Sequence, residues 1–424
     1  MDFLQASGFS RCRVLAAGTA GNVVEWYDFA LYGYLAPITA GLFFPSSDPL
    51  ASLLNTYAVF ALGFLTRPLG GLIFGPYWRS FRAAATDHAL RRDDGGADLF
   101  NRHAAASVGI LAPVLLAGLR LIQGISAGGE FSGSIILLVE HAPPNQRGLY
   151  GSIANFGAMI GALLGAGMGW LLTAFLPADV TYDLGWRVPF LTSIVIGALG
   201  LWIRLGIPDT PTYTSLKDNG TLERHPLRAA LHRHGREMML TAGLNWVVSA
   251  GYYVVFVWFV TDMTSVLGLP YHLALGIGTI GLLFGLIATP AFGYLSDRIG
   301  GRQMLAVGSV ATAVFAIPLL MIASTGTVVA VTVVQLGLAL LIAIFLGTLP
   351  AVFVSFYRAE MRCTALSLGY NVALALFGGT APLVATLLIK LTGWPSAPGL
   401  YLAATALACL ALIRFVPKPE PEVL

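Results

Sequence analysis

Apolar runs of about 20 residues recur along this chain, parted by short loops. About 20 apolar residues in a helix span the hydrocarbon core of a bilayer. In lipid each backbone polar group needs an internal partner, which a helix supplies. The repeat therefore predicts an all-α polytopic membrane protein. Composition agrees: 11% of residues are charged and 56% hydrophobic, where soluble domains carry about 25% charged residues. The opening "MDFLQASGFSRCR" is short and basic and reads as a cytoplasmic lead-in without a signal peptide. Cys12, Cys363 and Cys409 have no metal-like spacing and read as isolated thiols.

The hydrophobic pattern predicts helices near 14–38, 53–75, 108–140, 150–176, 187–207, 238–262, 272–295, 303–324, 327–356, 364–390 and 397–416. A polar segment, 208–237, splits the chain into an N-terminal half, 1–207, and a C-terminal half, 238–424, and reads as a cytoplasmic linker. Lys and Arg favour cytoplasmic loops. They occur at Arg11 and Arg13, from Arg79 to Arg92, at Arg147, in the linker, at Arg298 and Arg302, at Arg358 and Arg362, and at Lys418. The intervening loops "FPSSDP", "PADVTYDLGW", "TSVLGLPYH" and "STGT" lack both residue types. Both termini are thus expected in the cytoplasm, which demands an even number of spans. Eleven predicted helices fall one short, and the gap lies between residues 75 and 108.

That gap holds "PYWRSFRAAATDHALRRDDGGADLFNRHAA", residues 76–105. The second half reads "FGYLSDRIGGR" from Phe292, and Phe74–Gly75 begin the same way before the likeness stops. Codons for the stretch, read one base out of step, can encode an "FGHIGDRFGRR" counterpart followed by about 18 mostly apolar residues, close to a span's length. We read residues 76–105 as the product of two compensating frame shifts, near Gly75 and near Ala105. The alternative is a genuine cytoplasmic loop.

Several blocks in order carry a resemblance: "GNVVEWYDFALYGYLAP", "FALGFLTRPLGG", "LRLIQGISAGGEFSG", "EHAPPNQRGLYGS", "GWRVPF", "GYLSDRIGGR" and "ALSLGYNVALALFGGTAP". Over nearly its whole length the chain resembles the metabolite–proton symporter family of the major facilitator superfamily, whose members carry citrate, α-ketoglutarate, shikimate, and proline or betaine. The resemblance implies the major facilitator fold, with twelve helices as two six-helix bundles, a cavity near mid-membrane and alternating access. It further implies a multi-pass protein of the bacterial inner membrane. Residues 76–105 depart from it where the third helix belongs.

Ionisable groups inside spans are costly and mark candidate sites. Asn22, Glu25 and Asp28 are spaced three apart, along one helix face. A carboxylate shielded from water can exchange protons nearer neutrality, so Asp28 and then Glu25 are the expected proton-coupling residues. A structural hydrogen-bond cluster is the alternative. Arg67, Arg120 and Gln123 are candidate substrate groups, because a guanidinium fork matches a carboxylate. The competing reading is an internal ion pair with a carboxylate such as Glu130, and exchange of partners would make both true. Asn22 and Asn371 are expected to face the cavity or to bond across helices. Arg187 is expected to cap or pair at a helix start. Asp297 is expected to accept hydrogen bonds at the start of the following helix, with Arg298 and Arg302 beside it. By resemblance these residues form a gating loop, with Glu130, Glu360 and Arg362 grouped as further gating residues. Gly157, Gly161, Gly165 and Gly169 form a small-residue stripe for close helix contact, as do Gly281 and Gly285. Trp246, Tyr252, Tyr253 and Trp258 could cage a quaternary ammonium or serve packing.

The sequence shows no nucleophile elbow, phosphate loop or metal-ligand set, so neither an enzyme nor an ATP-driven pump is expected. The expected function is inward symport of a small organic acid with protons. A proline- or betaine-type cargo is the first alternative, and a transport-dead remnant the second. No cofactor and no nucleic-acid partner are expected; the partners are substrate, protons and membrane lipid, and the protein is expected to be a monomer.

Overall fold

A computed structural model describes residues 11–45, 47, 49–74, 111–183, 185–204 and 226–417. The anomalous stretch 76–105, both proposed frame-shift points and most of the central linker lie outside the described residues.

The described chain is helical and contains no strand. In the first half the segments are α1 (Arg11–Tyr34), α2 (Ala36–Phe43), α3 (Pro49–Leu65), α4 (Arg67–Phe74), α5 (Leu111–Ala127), α6 (Glu130–Glu140), α7 (Arg147–Phe175), α8 (Ala178–Asp183) and α9 (Val188–Arg204). The second half comprises α10 (Pro226–Tyr253), α11 (Phe259–Ser265), α12 (Tyr271–Ile299), α13 (Gly301–Ala323), α14 (Val328–Val354), α15 (Arg362–Ala373), α16 (Ala381–Thr392) and α17 (Pro398–Ile413). Seven helical stretches among the described residues are long and apolar enough to cross a membrane.

Three predicted spans are broken, and each break has a local cause. Pro37 and Pro68 follow the breaks at Leu35 and Thr66; a proline lacks the amide donor and crowds the preceding turn. Gly128–Gly129 separates α5 from α6, where no side chain defends the helical path. Two single-turn π-helices, Val254–Trp258 and Leu374–Gly378, interrupt the spans begun by α10 and α15. α10 starts at Pro226, and His234 (φ −127°, ψ 18°) kinks it between a short leading helix and the span expected near 238. Its first turns are polar, and hydropathy does not register a helix that extends beyond the lipid.

The halves meet along α7, which packs on α12 and α14, and along α4 and α6, which pack on α15. Glycines make this closeness possible. A Cβ on Gly161 would drive into the Val23 carbonyl of α1, and one on Gly157 would lie 3.0 Å from Thr19 O. The stripe on α7 is therefore the α1 contact, with Gly169 turned toward Leu35 and Leu275. Gly281 faces Gln335 and Gly285 faces Met159, which is again packing.

Candidate functional site

The site begins with α1. Its three-residue spacing points Glu25 and Asp28 toward the arginines of the neighbouring spans. Arg67 opens α4 immediately after the proline-induced break. Its Nη2 lies 2.7 Å from Glu25 Oε1, with the side chains 0% and 7% exposed. The guanidinium carbon sits 4.3 Å from the Phe29 ring centroid, 4.9 Å from Phe64 and 5.8 Å from Trp26. Aromatic faces attract a desolvated cation, so the rings and Glu25 together replace its water. Nε and Nη1 of Arg67 meet no hydrogen-bond acceptor among the described residues. One edge of the fork is thus left for another anion.

Arg120 forms a second centre. It is buried, lies 4.1 Å from the Tyr32 ring centroid, and donates to Gln123 Oε1 at 2.7 Å. Asp28 is close enough to act on it electrostatically. Each α1 carboxylate is therefore matched to its own arginine. The ion-pair partner of Arg67 is Glu25 rather than Glu130; Glu130 instead begins α6 beyond the glycine break.

Between the halves lies a small cavity lined by Trp26, Asn155, Met159, Tyr252, Tyr253 and Tyr370, among others. Its volume is about 10 Å³, room for about one water. The hydroxyls of Tyr252 and Tyr253 have no hydrogen-bond partner among the described residues. Of the four expected cage aromatics, only these two reach the cavity. Trp246 stacks on Phe377 at 4.6 Å, and Trp258 Nε1 donates to Thr386 Oγ1 at 3.2 Å. Trp26 from α1 and Tyr370 from α15 complete the aromatic wall.

Asn22 donates to Ser134 Oγ at 2.8 Å and to Ala154 O at 3.0 Å, tying α1 to α6 and α7. Asn371 donates to the Gly128 carbonyl, exposed by the α5–α6 break, and Ser367 donates to the same oxygen at 2.8 Å. In this state both asparagines bond across helices instead of lining the cavity. Arg187 lies over the Trp186 ring at 4.7 Å, at the start of α9.

At the end of the bundle that carries the basic loops, Asp297 accepts from the amides of Gly148 (2.6 Å) and Leu149 (2.9 Å). The expectation placed this bond at the following helix, α13. The helix is α7 of the opposite half, whose free N-terminal donors and dipole suit a carboxylate. Arg362 Nη1 donates to Glu140 Oε1 at 2.8 Å, also between halves. Glu140 was missed in the sequence, although it sits in the quoted block "EHAPPNQRGLYGS". Arg302 Nη2 donates to the carbonyls of Ile413 (3.2 Å) and Arg414 (3.3 Å), so it holds the end of α17. Arg298 covers Tyr294 at 4.5 Å, and Glu360 is exposed. At the opposite end Tyr271 donates to the Tyr34 carbonyl and Tyr57 donates to Thr261 Oγ1 at 2.8 Å. The seam is therefore closed at both ends.

A family model described as Major Facilitator Superfamily matches residues 99–378. The chain belongs to the major facilitator superfamily. It is 31% identical over 367 residues to the proline/betaine transporter of Salmonella typhimurium, covering 82% of this chain and 72% of that protein. It is 33% identical over 416 residues to the inner membrane metabolite transport protein YhjE of Escherichia coli (95% and 94% covered), and 31% identical over 421 residues to the citrate-proton symporter of Klebsiella pneumoniae (96% and 92%). Among solved structures, the proton:xylose symporter XylE aligns over 97% of both chains with TM-score 0.76 at 17% identity, a likeness of fold.

Asp297→Ala is expected to loosen the basic end. It removes two charge-assisted bonds between the halves, each worth about 1.5–3 kcal/mol. Alkylation of a Ser152→Cys reporter, buried under this latch, should speed up about tenfold or more, a shift of about 1.4 kcal/mol. An unchanged rate would remove Asp297 from the latch.

Proposed function

We propose that this protein is a proton-coupled symporter of a small carboxylate-bearing metabolite, working by alternating access between two six-helix halves, 1–207 and 238–424, joined by the 208–237 linker. The observation that carries this reading is the buried Glu25–Arg67 pair, with two guanidinium nitrogens unpaired beside the central cavity. A substrate carboxylate can take the open edge of Arg67 and compete with Glu25 for it, and a Glu25 displaced from Arg67 accepts a proton more readily. Asp28 beside Arg120 and Gln123 supplies a second exchange of the same kind. The curated relatives named for proline/betaine and for citrate with protons support a carboxylate cargo. So does the shikimate transporter of Escherichia coli, 33% identical over 330 residues.

Gating falls to Asp297 with the α7 amides and to Arg362 with Glu140, while Arg298, Arg302 and Glu360 shape the same end and Glu130 acts from the opposite end of α6. Substrate contact falls to Arg67, Arg120 and Gln123, with Asn22 and Asn371 entering only when helices part. The protein works in the inner membrane with both termini cytoplasmic, surrounded by lipid, as a monomer. A second reading, a zwitterionic osmolyte, is favoured by the aromatic wall of Trp26, Tyr252, Tyr253 and Tyr370, which suits a quaternary ammonium.

Proteoliposomes with an imposed pH gradient and a panel of labelled acids and betaines test the reading. Accumulation of one class, collapsed by an uncoupler, is expected. Asp28→Asn should abolish gradient-driven accumulation while the variant stays folded; accumulation that survives moves the coupling role elsewhere. A chain with the 76–105 segment rewritten in the alternative frame, run in parallel, separates a working carrier from a remnant.

A further inference from the structure

Asp262 lies in α11, in the last turns of the span begun by α10, within "VVFVWFVTDM". It is 6% exposed. No cation and no hydrogen-bond donor meets its carboxylate among the described residues. The contrast within this protein is sharp, since Glu25, Glu140 and Asp297 are all buried or half-buried against a cation or helix amides.

Its position is also specific. The neighbouring Thr261 accepts from Tyr57 of α3, the contact that closes the non-basic end of the seam. Tyr57 itself feels Asp262 electrostatically from across that seam. The π-turn Val254–Trp258 lies just before α11, and Val257 from this turn abuts Gly33 of α1. The titratable groups facing Asp262 are few. Tyr57 comes from α3. On α12, which packs on α11, Tyr271 is engaged with the Tyr34 carbonyl and His272 is exposed. None of these supplies a fixed positive charge at the carboxylate.

A carboxylate buried in this seam without a cation costs more charged than neutral. Opening the seam would let water reach it and let it ionise. We infer that Asp262 is a proton-binding group of the non-basic end, and that this end closes when Asp262 takes up a proton and opens when it releases one. The step is a proton exchange with outside water through the opened end. It is independent of the Glu25 and Asp28 centres and of what the cavity carries.

The test reads distance rather than transport. Spin labels at Ser47 of the first half and Thr325 of the second, both exposed at this end, are placed by substitution to Cys in the full chain with Cys12, Cys363 and Cys409 replaced by Ser. Distances are recorded in lipid nanodiscs from pH 5 to pH 9. The expected result is a short distance at low pH with a longer population growing in as pH rises. Asp262→Asn should hold the short distance at every pH, and Asp262→Glu should restore the response. Equal thermal melting of Asp262→Asn and the parent would show that the variant folds. Two results overturn the inference: a parent that does not respond to pH, or an Asp262→Asn response matching the parent's. Neither touches the symport reading, which stands or falls on gradient-driven uptake.

Discussion

Arg67→Gln should be the most damaging single change at the centre of this protein. It removes the Arg67 countercharge from buried Glu25, at the position where the pair now measures 2.7 Å. Breaking one side of a buried ion pair costs about 3–5 kcal/mol, because the surviving charge has lost its solvation. It also removes the cation around which Trp26, Phe29 and Phe64 are arranged. A large fall in melting temperature in detergent and complete loss of gradient-driven uptake are expected. The double variant, Glu25→Gln with Arg67→Gln, should regain most of the melting temperature, since the buried carboxylate that lost Arg67 is gone, yet regain no transport. If the double variant melts as low as Arg67→Gln alone, the cost is one of packing and the ion pair is not what holds the site. If it transports, the anion-binding role of Arg67 is wrong.

The second large effect concerns a residue with no chemistry. Gly124 of α5 crosses α3 so closely that a Cβ there would drive into the Gly63 carbonyl oxygen. Gly128 is held the same way against the Arg67 carbonyl. These crossings fix where the chain breaks before Arg67, and hence where the guanidinium sits. Gly124→Ala should cost about 1–3 kcal/mol through overpacking and reduce uptake further by displacing Arg67. Gly118→Ala, on the same helix with nothing within 4 Å of its Cβ, is the control. It should be neutral or slightly stabilising, by up to about 1 kcal/mol of helix propensity. Equal melting temperatures for the two variants would show that the crossing is loose in the membrane. The pair separates backbone proximity from helix propensity, since both changes are glycine to alanine in one span.

Asp297 illustrates how far sequence reasoning carries. Its acidic character and its neighbourhood of arginines mark it as a helix-capping residue, and it does cap a helix. Which helix it caps is decided by the approach of α12 to α7 across the seam. Glu140 failed to stand out for the same reason: a glutamate at a helix end by a loop looks solvated until Arg362, more than two hundred residues away, is brought within 2.8 Å. Asp262 was passed over because it follows a long apolar run and lies near a loop, where a carboxylate ordinarily reaches water.

What the sequence determined by itself is the class of structure, the sites of most spans and the set of charges that cannot be idle. These rest on hydropathy and on proline and glycine chemistry, which act over a few residues. The breaks at Leu35, Thr66 and Gly128 are of this local kind. Tertiary structure alone decided the pairing of Arg67 with Glu25, the engagement of Asn22 and Asn371 between helices, and the isolation of Asp262. In a membrane the apolar surface of one helix is much like another's and like lipid, so hydrophobicity does not choose partners. Glycine contacts and buried polar pairs choose them, and those are properties of two segments meeting rather than of either one alone.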